Sequence, residues 1–244
     1  MSNLDLIRPG YLTLCSTDIS APPMTSVVDG IRRGYEPDLA RELAARLGLE
    51  LAWVDVRRWA DFTPTLTGRR CDAILCNQAI TPERERNVNF TVPYARFDEG
   101  VVVRSDSPIR SSGDLVGRKI GAITATTNIT LAQTFAGAEV VEFGGGDDAF
   151  HEMADATRIG DIDAFVDDEI VLPHLVADGA LRVAFKVPTQ NPYGIAVRKH
   201  STILRDALNQ RLRDLIGDGK LAELWRQSFP DKEFPFPLSA ATSS

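Results

Sequence analysis

Two successive runs of alternating β and α signals constrain this chain more than any other feature. In the first run, residues 11–15 read as a buried strand. A helix follows from about Glu36, with Leu39, Leu43 and Leu47 on one stripe and Gly48 as its stop. Residues 51–55 give a second strand, 59–67 a helix closed by Gly68, and 72–76 a third strand. The second run has strands at 119–123, 139–143, 163–166 and 181–185. Its helices fall at 127–135, at 147–158 with Phe150, Met153 and Ala154 inward, and at 169–177. Such alternation implies parallel sheets with right-handed crossovers. Residues 100–104 form a β-rich run with no helix before it, suited to a strand leaving a first lobe, and 194–197 suit a strand that returns to it. Two amphipathic helices finish the chain, one carrying Ile203, Leu204, Ala207, Leu208, Leu212 and Leu215, the other Leu221, Leu224 and Trp225. The expected fold class is therefore α/β with two lobes: residues 1–103 plus 195–244, and residues 104–194 inserted. Two connections cross near Arg104-Ser105 and near Asn191-Tyr193, so a cleft between the lobes could close by hinge motion. Residues 239–244 are small and polar and are expected to be disordered.

Composition narrows the function. The 244 residues include 43% hydrophobic and 25% charged, as expected of a globular protein with a sizeable core. A formal net charge of −7 argues against a nucleic-acid partner. No apolar run is long enough to span a bilayer. Residues 1–10 are polar and carry no signal peptide, so either a leader was removed or the protein stays inside. The three cysteines, Cys15, Cys71 and Cys76, cannot complete a disulfide framework and are expected to be buried free thiols. No metal-ligand spacing appears and no cofactor is expected. Gly144-Gly145-Gly146 lacks the Walker lysine and reads as an ordinary loop.

The most informative motif is Thr81-Pro82-Glu83-Arg84, followed by Phe90-Thr91-Val92-Pro93-Tyr94. Pro82 is placed to start a helix after a parallel strand, and ligands of open α/β sheets bind at such strand ends. A guanidinium there can grip a carboxylate through two parallel hydrogen bonds. Four further segments recur in order: residues 34–40 (Gly-Tyr-Glu-Pro-Asp-Leu-Ala), 114–121 (Asp-Leu-Val-Gly-Arg-Lys-Ile-Gly), Thr126-Thr127-Asn128, and 160–168 with its Asp-Ala-Phe-Val-Asp-Asp end. Residues 193–199 complete the set. Together they resemble the extracytoplasmic solute-binding proteins of polar amino-acid ABC transporters, across nearly the whole chain. The resemblance implies a type II periplasmic-binding-protein-like fold, an α-amino-acid ligand, delivery to a membrane permease, a monomer and no catalysis. It also favours a periplasmic or lipid-anchored location after removal of a leader.

The resemblance assigns roles. Arg84 pairs with the ligand α-carboxylate. Thr126 and Thr127 add N–H and hydroxyl donors at a helix N-terminus, although they also suit simple N-capping. Asp168 takes the α-ammonium, or else caps a helix opening at Glu169. A zwitterion held by both would bridge the lobes. Trp59 aligns with an aromatic that stacks on the ligand side chain, with core packing equally open. Asp18 aligns with a side-chain contact, with a turn role beside Ile19-Ser20 open. The chain departs from the pattern at Ala21, which replaces a tyrosine, and at Ala125, which replaces a glycine. Asn77-Gln78-Ala79 replaces a run of small residues, so Asn77 and Gln78 could place amides in the pocket. Asp18 and Asp167-Asp168-Glu169 make the expected cleft acidic, favouring basic or amide side chains over acidic ones; Arg57 or Arg58 turning inward would invert that preference. The competing class is a cyclohexadienyl-dehydratase-like enzyme on the same scaffold, with Asp167 or Glu169 as the cleft acid. His151, His174 and His200 are expected to play no part.

Overall fold

The computed structural model describes residues 4–144 and 148–237, and the chain divides into two units. The first comprises residues up to Asp55, Thr63–Arg96 and everything from Pro192 onward; the second comprises Val56–Phe62 and Phe97–Asn191. Gly145, Gly146, Asp147 and the 239–244 tail lie outside the described residues.

The first unit contains β1 (Tyr11–Ser16), β2 (Ser26–Val28), β3 (Ile31–Arg33), α1 (Tyr35–Leu47) and β4 (Glu50–Asp55). After α2 (Phe62–Thr67) come β5 (Ala73–Ile74) and β6 (Val88–Phe90). The second unit follows β7 (Ala95–Arg104) with β8 (Lys119–Ile123), α3 (Thr127–Ala132), β9 (Glu139–Phe143), α4 (Ala149–Ile159), β10 (Ala164–Asp168) and α5 (Leu172–Leu175). After β11 (Leu181–Tyr193), the first unit closes with β12 (Ala196–Arg198), α6 (Thr202–Gly217) and α7 (Lys220–Ser228).

The first sheet has the order β4-β1-β5-β12-β6 and the second β11-β7-β10-β8-β9. In each, three parallel strands meet one antiparallel neighbour: β12 beside β5, and β7 beside β10. The two units therefore repeat one plan, as the doubled alternation implies.

Leucines at helical spacing build the first core. Leu204, Leu208, Leu212 and Leu215 of α6 are fully buried, as are Leu39 and Leu43 of α1. Each such side chain contributes about 1.5–3 kcal/mol of burial. Ile203, expected on the same stripe, is instead exposed. Trp225 packs between Tyr35 and Phe229, with ring centroids at 5.6 and 4.5 Å. The second core is built from β-branched and small residues: Val101, Val103, Ile120, Ala122, Ala164 and Val166.

Several elements differ from expectation. The sequence-based boundary at 103/104 falls inside β7, a single ten-residue strand whose Val101, Val102 and Val103 pair with β10 and so belong to the second sheet. The helix expected over 169–177 shrinks to Leu172–Leu175, with Pro173 in its first turn, where the missing N–H costs no helical hydrogen bond. The helix expected after Pro82 is one 3-10 turn, Arg84–Arg86, ended as the chain enters β6 at Val88. β11 runs to Tyr193 rather than stopping near 185. The β2–β3 hairpin was not anticipated, although Asp29-Gly30 is a strong turn signal and both residues take positive φ.

Candidate functional site

In the first unit the site residues follow β5. Burial carries through Leu75 and Cys76, and the chain then turns at Asn77, whose φ of 47° is one that asparagine tolerates better than most residues. The turn is pinned from α1: the Asn77 N–H donates to Glu36 Oε1 at 2.6 Å, and Tyr94 Oη also donates to that oxygen. Tyr35 Oη donates to the Tyr94 carbonyl at 2.7 Å. This explains why Gly34-Tyr35-Glu36 opens α1. Gly34 has φ +114°, and a Cβ there would lie 2.7 Å from the Pro23 and Met24 carbonyl oxygens.

Gln78 is buried, and its Nε2 donates to the Cys76 carbonyl at 3.0 Å. Ala79 forms a bridge with Tyr193, and the Ile80 N–H donates to Pro192 O at 2.7 Å. Arg84 is half-buried; its N–H donates to Thr81 Oγ1 at 3.2 Å and its Nη1 to Ala79 O at 3.0 Å. The structure thus gathers Gln78, Ala79 and Arg84 around one turn, and Ala79, which has no hydroxyl, contributes its carbonyl as an acceptor for the guanidinium. Asp18 is half-buried beyond β1. Thr17 Oγ1 accepts the Ile19 N–H at 3.1 Å. The Asp18 charge also favours the cation of Arg32, a buried side chain that donates to Thr17 O and pairs with Asp55.

In the second unit, Asn128 Nδ2 donates to Asp168 Oδ1 at 3.3 Å. Thr126 caps α3, accepting the Ile129 N–H at 3.4 Å and donating to Ile123 O at 2.6 Å. α5 opens at Leu172 rather than at Glu169, and the Val171 N–H reaches the Asp168 carbonyl at 3.1 Å. Ala125 takes φ 62°, where the missing glycine would sit without strain. Trp59 starts the 3-10 turn Trp59–Asp61 and packs edge-on against Phe62, centroids 5.3 Å apart; its buried Nε1 has no hydrogen-bond partner. Arg58 pairs with Asp61 at 2.8 Å.

Sequence reasoning missed Glu99. It lies on β7 directly opposite Asp168 on β10, and opposite residues of an antiparallel pair share a face, with Cβ atoms about 5 Å apart. Glu99 is 2% exposed. Burial, and then the Asp168 charge, push its carboxyl up to about 7. Asn191, Thr189 and Thr127 favour its ionised form, yet Glu99 Oε1, Thr189 Oγ1 and Asn191 Nδ2 make no hydrogen bond of normal geometry. The signal was present: Phe97, Glu99 and Val101 alternate in phase, and both flanking side chains are core. Burial, with the Asp168 charge added, also pushes Asp167 well above the ordinary carboxylate range, and its Oδ1 accepts the Asp168 N–H at 2.7 Å. Glu169 pairs with Lys186 at 2.7 Å.

Other candidates stand apart. The three cysteines are free and buried. A hydrogen bond with Cys71, then burial, raise the Cys15 thiol, and burial raises Cys76, so neither is a ready nucleophile. The Cys15–Cys71 contact was not anticipated. His151 lies against Asp148 at 2.9 Å, while His174 and His200 are exposed. Among the described residues no histidine, cysteine and carboxylate group is placed to hold a metal ion, and no helix is long and apolar enough to cross a membrane.

Two α/β units of one strand order, linked by β7 and β11 and carrying charged residues at strand ends, define a two-lobed binding protein of the type II periplasmic kind. Residues 14–231 match the bacterial extracellular solute-binding proteins, family 3, and the chain belongs to that family. It is 30% identical to the L-arginine-binding protein of Pseudomonas aeruginosa over 231 residues, 89% of this chain and 85% of that one. Among solved structures it resembles holo ArgBP from T. maritima, with a TM-score of 0.76 and 33% identity over 89% of this chain and 96% of that one. It also resembles the ancestral amino acid-binding protein AncCDT-1, a precursor of cyclohexadienyl dehydratase, with a TM-score of 0.79 and 26% identity over 90% and 95%. The family places the chain among extracytoplasmic binding proteins rather than enzymes.

Proposed function

We propose that this protein captures a polar or basic α-amino acid and delivers it, as a monomer, to the membrane permease of an ABC importer. Arg84, in the first unit, takes the ligand carboxylate, and Asp168, in the second, takes the ammonium. Thr126 and Thr127 assist with the carboxylate. Asp18, Trp59, Asn77 and Gln78 read the side chain, with Ala79 holding Arg84 in place. The observation that carries this reading is the family match over residues 14–231, which contains all nine of these residues. The relatives' binding of amino acids supports the ligand class. The protein acts in the periplasm or from a lipid anchor on the outer face of the cytoplasmic membrane.

The dehydratase alternative is disfavoured by its own candidate acids: Glu169 is taken by Lys186, and Asp167 is held by the Asp168 backbone. The AncCDT-1 neighbour is itself a binding protein. A thermal-shift screen of the amino acids, with chromatography of any stabilising ligand after incubation, tests the reading. A ligand recovered unchanged is expected; one converted to product rejects it.

A further inference from the structure

We propose that Glu99 is a second acidic contact of the ligand site, and that the Glu99–Asp168 pair holds one proton when empty and releases it when a ligand ammonium group binds. The inference rests on the reading of Asp168 given above. Its own basis is geometry within the second unit. Glu99 and Asp168 are directly opposed on β7 and β10, on one face, and both are buried. Two carboxylates so placed disfavour each other's ionisation.

The surroundings supply polar groups but leave them incomplete. On the α3 side stand Thr127 and Asn128, both uncharged, and Asn128 already donates to Asp168. On the β11 side stand Thr189 and Asn191, also uncharged, which face Glu99 outside normal hydrogen-bond geometry. On β10 the further titratable neighbour is Asp167, whose own carboxyl is held toward the neutral form. Gln190 is committed to Asp98, with Nε2 to Oδ1 at 2.6 Å, and Lys186 to Glu169. A buried acid with an incompletely partnered oxygen costs stability unless a donor completes it. An ammonium group, with three donors and a positive charge, does so.

The step balances simply. The Glu99 carboxyl loses its proton to solvent, and the resulting carboxylate pairs with the incoming ammonium; no other bond changes. The empty-site carboxyl titrates near 7, whereas a bound cation holds it ionised at lower pH. Ligand affinity therefore falls as pH drops below about 7, by up to about tenfold per pH unit, and is flat just above.

Calorimetric titration with L-arginine and L-glutamine, then with the remaining standard amino acids, tests this. Titrations at about pH 6 in two buffers of different ionisation enthalpy count the protons released. Wild type should release close to one proton per ligand, and Glu99→Gln should release none and lose the pH slope. Asp168→Asn should reduce release without abolishing it, because burial, the larger cause, still raises the Glu99 carboxyl once the Asp168 charge is gone. If an amino acid binds wild type with no proton release, or if Glu99→Gln keeps the wild-type slope, the inference is overturned and the amino-acid reading stands. If no amino acid binds, that reading fails and takes the inference with it. Unfolding midpoints of each variant, measured in parallel, separate misfolding from lost contacts, and Glu99→Asp should restore part of the release.

Discussion

Arg84 and Asp168 carry opposite charges in opposite kinds of surroundings. The Arg84 guanidinium donates to the Ala79 carbonyl, and its backbone N–H is held by the Thr81 hydroxyl. Asp168 is an acid crowded by acids, Glu99 across the sheet and Asp167 beside it, with Asn128 as its amide donor. A charge held by dipoles can be preformed at little electrostatic cost. A charge set among like charges is disfavoured by them, and an added cation relieves that repulsion. On the proposed reading the two units have different tasks: the first offers an anion grip, the second a cation site that binding completes.

The largest expected effect tests the anion grip. Arg84→Ala should lower amino-acid affinity about 100-fold or more, because the ligand carboxylate is desolvated without a partner. Arg84→Lys should remain strongly impaired, since the two-pronged geometry is lost. Near-wild-type affinity in Arg84→Ala by calorimetry would remove Arg84 from the site.

The next effect probes the tension in the second unit through stability. The folded-state value of Glu99 is raised from 4.5 to about 7. A group raised on folding stabilises fully below its unfolded value, and that contribution is lost as pH rises through the folded value. The ligand-free protein should therefore lose roughly 2–3 kcal/mol from this group between about pH 4.5 and 7, an upper figure given partial solvation. Urea unfolding of Glu99→Gln should flatten that part of the pH profile. An unchanged profile would mean that Glu99 is not under tension.

Selectivity sharpens the comparison further. If the second unit needs cations, basic or amide side chains should compete better than glutamate or aspartate. Better binding of the acidic pair would show that Arg57, or Arg32 beside Asp18, dominates the side-chain end.

The smallest effect is local. Ala125 holds φ 62°, a conformation that costs roughly 1 kcal/mol relative to glycine. Ala125→Gly should stabilise the protein by up to about 1 kcal/mol by chemical denaturation, less the entropy that glycine adds to the unfolded chain.

The comparison also separates what the sequence reveals from what it hides. Strands β8 and β9 are legible to the residue, because each follows closely on a glycine turn, at Gly117 and at Gly137. The stripe of α6 is legible for its leucines but not for Ile203, since spacing alone does not say where a stripe's edge meets solvent. The end of β11 is hidden for a chemical reason. Val187, Thr189 and Asn191 alternate with exposed Lys186, Pro188 and Gln190, so a proper two-residue period exists, but its inward residues are partly polar. Glu99 is hidden by the same bias, an acid in phase with a buried face. Arg84 was legible because its motif is local. Its grip on Ala79 was not, because that depends on a turn fixed from α1 through Glu36.

The most direct test of the central claim pairs trimmed ligands with trimmed residues. For whichever amino acid binds, its decarboxylated analogue and its deaminated analogue should be titrated against wild type, Arg84→Ala and Asp168→Asn. The account predicts matched losses: removing the carboxylate costs wild type dearly but Arg84→Ala little more, and removing the ammonium costs wild type dearly but Asp168→Asn little more. Losses that simply add, with each variant still discriminating against both analogues, would contradict it.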